Sequence, residues 1–268
     1  MKIGIIGLGK MGEALVKGLE RSGDNFSLQA TTRSQESARE AHKRIKVPCH
    51  TDNAKLVQDC DVLVLCVKPH QVKALLEPIA ASLSARHTLI SICASVTTAQ
   101  LSEWSGGRCA IIRAMPNTPC LIGEGMTAFS PGPRAQASHL AIAEKIFGPV
   151  GRTAKVEEHL MDGVTGLSGC GPAYVYMIIE ALSEAGVKVG LPRKTATLLA
   201  AQTLLGASKM VMERGEHPAA LKDEVTTPAG CTIDGLMALE EGRLRVTLIK
   251  AVLAATKRSK TLRGPEST

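Results

Sequence analysis

Two short stretches carry residue types that could do chemistry. In residues 223–235, Thr226 and Thr227 precede Pro228 and two small residues. Cys231 and Thr232 then open an apolar-periodic run through Ile233, Leu236, Met237 and Leu239. A helix that starts this way aims unpaired backbone N–H groups and the positive end of its dipole at whatever lies in front of it. That suits an anion of carboxylate size. Taken alone, the stretch reads more readily as a capped surface helix. The second stretch is Gly7-Leu8-Gly9-Lys10-Met11-Gly12, between an apolar run at 2–6 and a helical pattern over 13–21. Strand, G-x-G-x-x-G and helix in that order point to a dinucleotide. Gly7 permits the tight turn, Gly9 lets a pyrophosphate approach the backbone, and Gly12 lets the helix pack on the strand.

Other residues refine the cofactor. The strand pattern at 27–31 runs into Thr32, Arg33 and Ser34, with no acid to take a ribose 2′-hydroxyl. Hydroxyls beside an arginine suit a 2′-phosphate, so NADPH is expected, with NADH as the alternative. Lys68 follows the apolar run 61–67 and reads as a phosphate or ribose contact. Catalysis by Lys68 is the weaker reading, because no neighbouring acid or base marks it. Pro69 can begin the next helix. Asn117, set among Pro116 and Pro119, could meet a carboxamide or simply form a turn.

These residues need a scaffold. Buried-strand runs at 61–67, 87–94, 108–114, 125–130 and 151–156 alternate with helical patterns near 34–44, 53–58 and 134–147. The expectation is an α/β fold: a Rossmann-type, doubly wound parallel sheet over residues 1–156, with ligands at the C-terminal strand ends. From 157 to 268 strand runs stop. Helices are expected at 160–187, 192–214, 217–223, 231–241 and 243–262, forming an all-helical substrate-binding and dimerisation domain. Residues 172–185 are apolar over much of the helix girth, which calls for burial against a second copy. Tyr174 and Tyr176 fit that interface or the core better than ligand stacking.

Composition narrows the function classes. The chain has 268 residues, 44% hydrophobic and 21% charged, with one Trp, two Tyr and three Phe. So few aromatics argue against a base-stacking platform, and the formal charge of +7 is scattered apart from Lys257, Arg258 and Lys260. No nucleic-acid partner is expected; a basic balance helps attract an anionic cofactor and substrate. The eight cysteines form no C-x-x-C pair, which suits a reduced, cytoplasmic setting. The chain enters a strand without a leader pattern, and no apolar run approaches a membrane span. His139, His159 and His217 are isolated, so no metal site is expected.

With these segments in view, the chain resembles the Δ1-pyrroline-5-carboxylate reductase family over essentially its whole length. The resemblance rests on residues 6–12, 67–69, 113–119 (Arg-Ala-Met-Pro-Asn-Thr-Pro), 166–174, 216–218 and 221–230. It implies an NADPH-preferring reductase that makes L-proline from pyrroline-5-carboxylate. It also implies a dimer interlocked through the helical domain, in some members assembled into a ring of dimers. Gly230, Cys231 and Thr232 would present amides to the substrate carboxylate beside Thr227, and the Thr232 hydroxyl, the catalytic group, would reach the ring nitrogen. Asn53, Val67, Lys68 and Ala94 match cofactor-contacting positions, with Met115, Pro116 and Asn117 near the nicotinamide. Glu158 and Glu224 match positions near cofactor and substrate. The chain departs from the family pattern at Ala229 and Cys231, where S-P-G-G-T-T is usual against Thr227–Thr232 here, at Ser95, where A-G-V-T is usual, and at Cys170, where S-G-S-G-P-A-Y is usual. Ala229 would be strained if its φ is positive. Two alternatives stand: a β-hydroxyacid-type NADP dehydrogenase, which lacks its lysine around residues 173–175 here, and an inactive NADP-binding interaction protein.

Overall fold

The computed structural model describes residues 1–262. Eight strands form one sheet: β1 Lys2–Ile6, β2 Ser27–Thr31, β3 Cys49–His50, β4 Val62–Leu65, β5 Thr88–Ser91, β6 Ala110–Met115, β7 Gly125–Pro131 and β8 Gly151–Lys155. Their order is β3-β2-β1-β4-β5-β6-β7-β8. Every neighbouring pair is parallel except β6 with β7. The helices between them are α1 Lys10–Arg21, α2 Gln35–Ile45, α3 Asn53–Asp59, α4 Val72–Leu76, α5 Thr98–Trp104 and α6 Ala137–Phe147.

The apolar runs become central strands because both faces of the sheet are covered. Val62 and Val64 of β4 join Ile3, Ile5, Ile90 and Ile112 in one core, with Leu15 and Ile146 from α1 and α6. Leu63 and Leu65 point the other way, into a core with Leu56, Leu76, Leu89 and Leu101. The doubly wound architecture is therefore as expected, with an antiparallel step at β6–β7.

The helix expected over 160–187 is broken. The structure has α7 Met161–Val164, a π-helical segment Thr165–Gly169, and then α8 Gly171–Lys188. Gly163, Gly166, Gly169 and Gly171 weaken a helix here, and Pro172, near the start of α8, cannot donate to a preceding turn. The remaining helices are α9 Arg193–Arg214, α10 Pro218–Glu224, α11 Cys231–Glu241 and α12 Leu244–Leu262.

By packing, one unit comprises Met1–Cys170 with the C-terminal stretch from Ala254, and the other Gly171–Leu253. This division by packing falls at 170/171, fourteen residues after the change in sequence texture at 156/157. Residues 157–170 stay with the sheet through buried Met161 and Asp162 and through the bonds of Glu158 described below. In the helical unit, α8 and α9 approach closely where Gly186 faces Ala196: a Cβ on Gly186 would lie 2.7 Å from the Ala196 Cβ. Only Ser183 of α8 and Ala196 and Ala200 of α9 are buried, and none of α10 or α11. Met177 is 72% exposed and Leu198 67%. Apolar helix faces left this bare need a further surface to cover them. Among the described residues, no helix is long and apolar enough to cross a membrane.

Candidate active site

The strand order brings the expected cofactor residues to one edge of the sheet. Across the C-terminal ends of β3, β2, β1, β4, β5 and β6 stand, in turn, Asn53; Thr32, Arg33 and Ser34; residues 7–12; Val67, Lys68 and Pro69; Ala94; and Met115, Pro116 and Asn117.

The glycine turn fits a pyrophosphate. Gly7 has φ +95°, and a Cβ there would lie 2.9 Å from the Cys66 carbonyl oxygen. A Cβ on Gly12 would lie 2.5 Å from the Gly7 carbonyl, whereas one on Gly9 would meet nothing within 4 Å. The open space is thus at Gly9, the N-cap of α1, where no side chain caps the helix. Free amides and clear space at a helix start accept a phosphate. Leu8 and Met11 pack against the core beneath, and Lys10 is exposed. Burial pushes the Cys66 thiol up, so it stays protonated under the turn.

The ends of the neighbouring strands are pre-set by their own bonds. Ser34 caps α2 by accepting from the Ser37 amide at 3.2 Å, and the Thr32 hydroxyl donates to the Ser34 carbonyl at 3.0 Å. Arg33 is exposed and enters no ion pair among the described residues. The Thr31 hydroxyl donates to Asn53 Oδ1 at 2.6 Å, fixing the Asn53 amide at the edge. The Cys93 thiol donates to the Val67 carbonyl at 3.2 Å, tying the ends of β4 and β5. Lys68 is exposed, and its backbone amide donates to Gln71 Oε1 at 3.1 Å.

Asn117 has internal duties that the sequence did not reveal. Its Oδ1 accepts from the Met126 amide at 2.9 Å and its Nδ2 donates to the Ser168 carbonyl at 3.2 Å. The side chain therefore pins the β6–β7 connection to the π-helical segment. Pro116 is buried and acts by stiffening this corner. Met115 packs on Gly169, where a Cβ would lie 2.6 Å from the methionine methyl.

Glu158 is also committed internally. Its Oε1 accepts from the Thr98 amide at 2.7 Å and its Oε2 from the Thr98 hydroxyl at 2.5 Å. Arg113, 2% exposed, lies 3.4 Å from Oε1. This carboxylate caps α5 and neutralises a buried guanidinium. These tasks are internal to the fold, and the substrate contact expected for Glu158 is a separate question of binding.

In the helical unit, α11 starts as expected. Gly230 is its N-cap, with no side-chain cap, and Cys231 and Thr232 are its first two residues. Their amides are left for an outside acceptor. A turn holds the approach: the Gly230 amide donates to the Thr227 carbonyl at 3.1 Å, and a Cβ on Gly230 would collide with the Thr227 hydroxyl. Thr226 donates to the Lys222 carbonyl at 2.8 Å. Cys231 is exposed and Thr232 half-buried. Ala229 has φ +56°, the left-handed region that a Cβ disfavours. Ala229→Gly should stabilise the protein by roughly 0.5–1 kcal/mol, after deducting glycine's greater unfolded-chain entropy. Urea denaturation checks this, and an unchanged midpoint would show that the turn absorbs the methyl without strain.

Glu224 pairs with Arg214, whose two terminal nitrogens reach its two oxygens at 2.7 Å each, while Nε reaches Glu216 at 2.8 Å. Hydrogen bonding to Arg214 holds the Glu224 carboxyl below its usual range. A lowered folded pKa adds stability that is present above the unfolded value of about 4.3 and lost as pH falls through the folded value. A carbon-13 NMR titration should place Glu224 below ordinary glutamates, and Arg214→Ala should move its midpoint up. The pair anchors α10 to the end of α9, a role the sequence reading of Glu224 as a substrate contact did not include. His217 adds to it by capping α10, accepting from the Ala219 amide at 3.2 Å.

Comparison with known proteins gives concordant matches. Residues 158–262 match the family model for pyrroline-5-carboxylate reductase dimerisation, and residues 2–95 that for NADP oxidoreductase, coenzyme F420-dependent. A pyrroline-5-carboxylate reductase of Arabidopsis thaliana is 42% identical over 263 residues, spanning 97% of this chain and 95% of the relative. Among solved structures, a pyrroline-5-carboxylate reductase from Coxiella burnetii superposes with a TM-score of 0.91 at 37% identity, covering 97% of each chain. A Plasmodium falciparum pyrroline carboxylate reductase with NADP bound superposes with a TM-score of 0.87 at 34% identity, covering 98% of each. A prephenate dehydrogenase from Aquifex aeolicus, at 15% identity and a TM-score of 0.56, shares the fold alone.

Proposed function

Because the chain belongs to the pyrroline-5-carboxylate reductase family, we propose that it reduces the imine of Δ1-pyrroline-5-carboxylate to give L-proline, with NADPH as the preferred donor and NADH as an alternative. Family membership over nearly the whole chain carries this reading and sets aside a β-hydroxyacid dehydrogenase. The dimerisation-family match and the bare apolar faces of the helical unit support self-association. A ring of dimers and a cytoplasmic location complete the proposal.

NADPH, when bound, supplies the hydride that the imine carbon accepts. The residues of this chain do the rest. The amides of residues 8–12, at the uncapped start of α1, would hold the pyrophosphate, and Thr32, Arg33 and Ser34 the 2′-phosphate. Asn53, Val67, Lys68 and Ala94 would flank the riboses and phosphates, and Met115 the nicotinamide. The substrate carboxylate would sit at the Gly230 N-cap, on the amides of Cys231 and Thr232, while the Gly230 amide is taken by the Thr227 carbonyl in the turn that holds this approach. The Thr232 hydroxyl would orient the ring nitrogen and relay its proton through water. A protonated imine is already electrophilic, so positioning and carboxylate anchoring supply most of the rate.

The test is loss of NADPH absorbance on adding pyrroline-5-carboxylate to the purified protein. Turnover supports the reading; tight NADPH binding without turnover would instead support the inactive interaction protein. Arg33→Ala should lower the ratio of kcat/KM for NADPH over NADH by about tenfold, the order of one charge-assisted contact. An unchanged ratio would remove Arg33 from the 2′-phosphate site.

A further inference from the structure

Ser95 is the residue after Ala94, just past the end of β5. It has φ +62°, although it carries a Cβ, and it is 9% exposed. Nothing local requires a serine there, and a glycine would adopt this conformation without steric cost. Its hydroxyl, however, donates to the carbonyl of Ser259, 164 residues later on α12, at 3.2 Å. The Ser259 hydroxyl in turn donates to Asp162 Oδ1 of α7 at 2.7 Å. Ser259 and Asp162 are 4% and 2% exposed, so bulk water does not readily replace these bonds.

The φ angle of residue 95 sets the plane of the Ala94–Ser95 peptide, and so where the Ala94 carbonyl points. Three residues on, Thr98 is gripped through both its amide and its hydroxyl by Glu158. The segment 158–162 therefore restrains the loop after β5 at both ends: Glu158 holds Thr98, and Asp162 holds Ser95 by way of Ser259. All of these contacts lie within the sheet unit, of which the end of α12 is part.

We propose that Ser95 is a positioning residue for the cofactor: its hydroxyl, tied to α12 at Ser259, holds the Ala94–Ser95 peptide in the conformation that meets the cofactor. Cofactor affinity then depends on the docking of the α12 end against the sheet. This rests on the reading of Ala94 as a cofactor contact. It also explains why a residue with a Cβ is kept in the left-handed region, since the strain is offset by a bond that glycine cannot make.

The experiment uses the full-length protein and NADPH fluorescence titration, alongside steady-state kinetics with pyrroline-5-carboxylate. Ser95→Gly removes the hydroxyl while leaving the backbone angle accessible, so folding is retained. It should raise the NADPH Kd and KM about fivefold, the order of one lost hydrogen bond, with kcat and the KM for the imine within about twofold. Ser259→Ala keeps the carbonyl but loses the link to Asp162, and should shift the NADPH Kd in the same direction by less. A merely structural serine would lower thermal stability and leave the NADPH Kd where it was, and that result would overturn the proposal. So would an equal loss of affinity for both ligands. If the unaltered protein neither binds NADPH nor turns over the imine, the failure belongs to the functional reading; if it does both and Ser95→Gly binds NADPH normally, the failure belongs to Ser95 alone.

Discussion

Thr232→Ala should lower kcat about 100-fold, the order found when a single positioned donor is removed from a reacting centre. The KM for NADPH should stay within about twofold. Thr232 is the second residue of α11, and the helix start carries no side-chain cap. Alanine keeps the backbone amide and favours a helix at least as well as threonine, so the carboxylate anchor survives the change. Only the hydroxyl is lost. The KM for the imine should therefore rise much less than kcat falls, the pattern of an interaction made chiefly in the transition state. Thr232→Ser, which restores a hydroxyl, should recover most of the rate. A fully active alanine variant would leave the anchoring amides as the only contribution of this helix start. Cys231→Ala offers the internal control. Its side chain is exposed and its amide remains, so kcat should change less than twofold if backbone donors alone hold the carboxylate.

How far sequence reasoning reached is visible in the same places. Local patterns located the glycine turn, the central strands and the start of α11, because each is written in consecutive residues: an apolar run, glycines at set offsets, small residues before a helix. The φ of Ala229 was legible as a condition, since only a left-handed turn would make a methyl costly there. β3 was missed because two residues beside Pro48 leave no apolar run, and the pairing of Ala30 with Cys49 is what makes them a strand. The antiparallel step at β6–β7 leaves no trace in hydropathy. The break in the expected 160–187 helix was written in four glycines and Pro172, but apolar periodicity on both sides masked it. Glu158, Glu224 and Asn117 carry internal bonds that local sequence does not express. Each has a chemically capable side chain in a suggestive place, and each is engaged by a partner that its own neighbourhood does not announce: Thr98, sixty residues from Glu158; Arg214, ten residues from Glu224; and Ser168, beyond the strand corner from Asn117. The link from Ser95 to Ser259 spans still more chain, and the return of the α12 end to the sheet unit follows from packing that periodicity cannot express.

Glu158→Ala should destabilise the protein by about 3 kcal/mol, the lower range for removing one partner of a buried ion pair. Two losses combine. The guanidinium of Arg113, inside the sheet at the end of β6, loses the carboxylate that lies 3.4 Å from it. At the same time α5 loses the acceptor for its first amide, that of Thr98, and the Thr98 hydroxyl loses its own acceptor. Thr97 still caps the Gln100 amide, so one of the start-of-helix donors remains satisfied, and α5 should loosen rather than unfold. For a unit of this size the change corresponds to a fall in Tm of about 6–12 °C. Glu158→Gln separates the two effects. An amide oxygen can still accept from Thr98, but the Glu158 charge no longer faces Arg113, so its loss should fall between wild type and alanine. Placing the carboxylate on the substrate instead predicts the opposite split, a raised KM for the imine with little change in Tm. Measuring both quantities on both variants decides between a structural clamp and a binding residue. Because Glu158 grips the same loop that Ser95 closes from its other end, the clamp further requires that Glu158→Gln weaken NADPH binding more than imine binding.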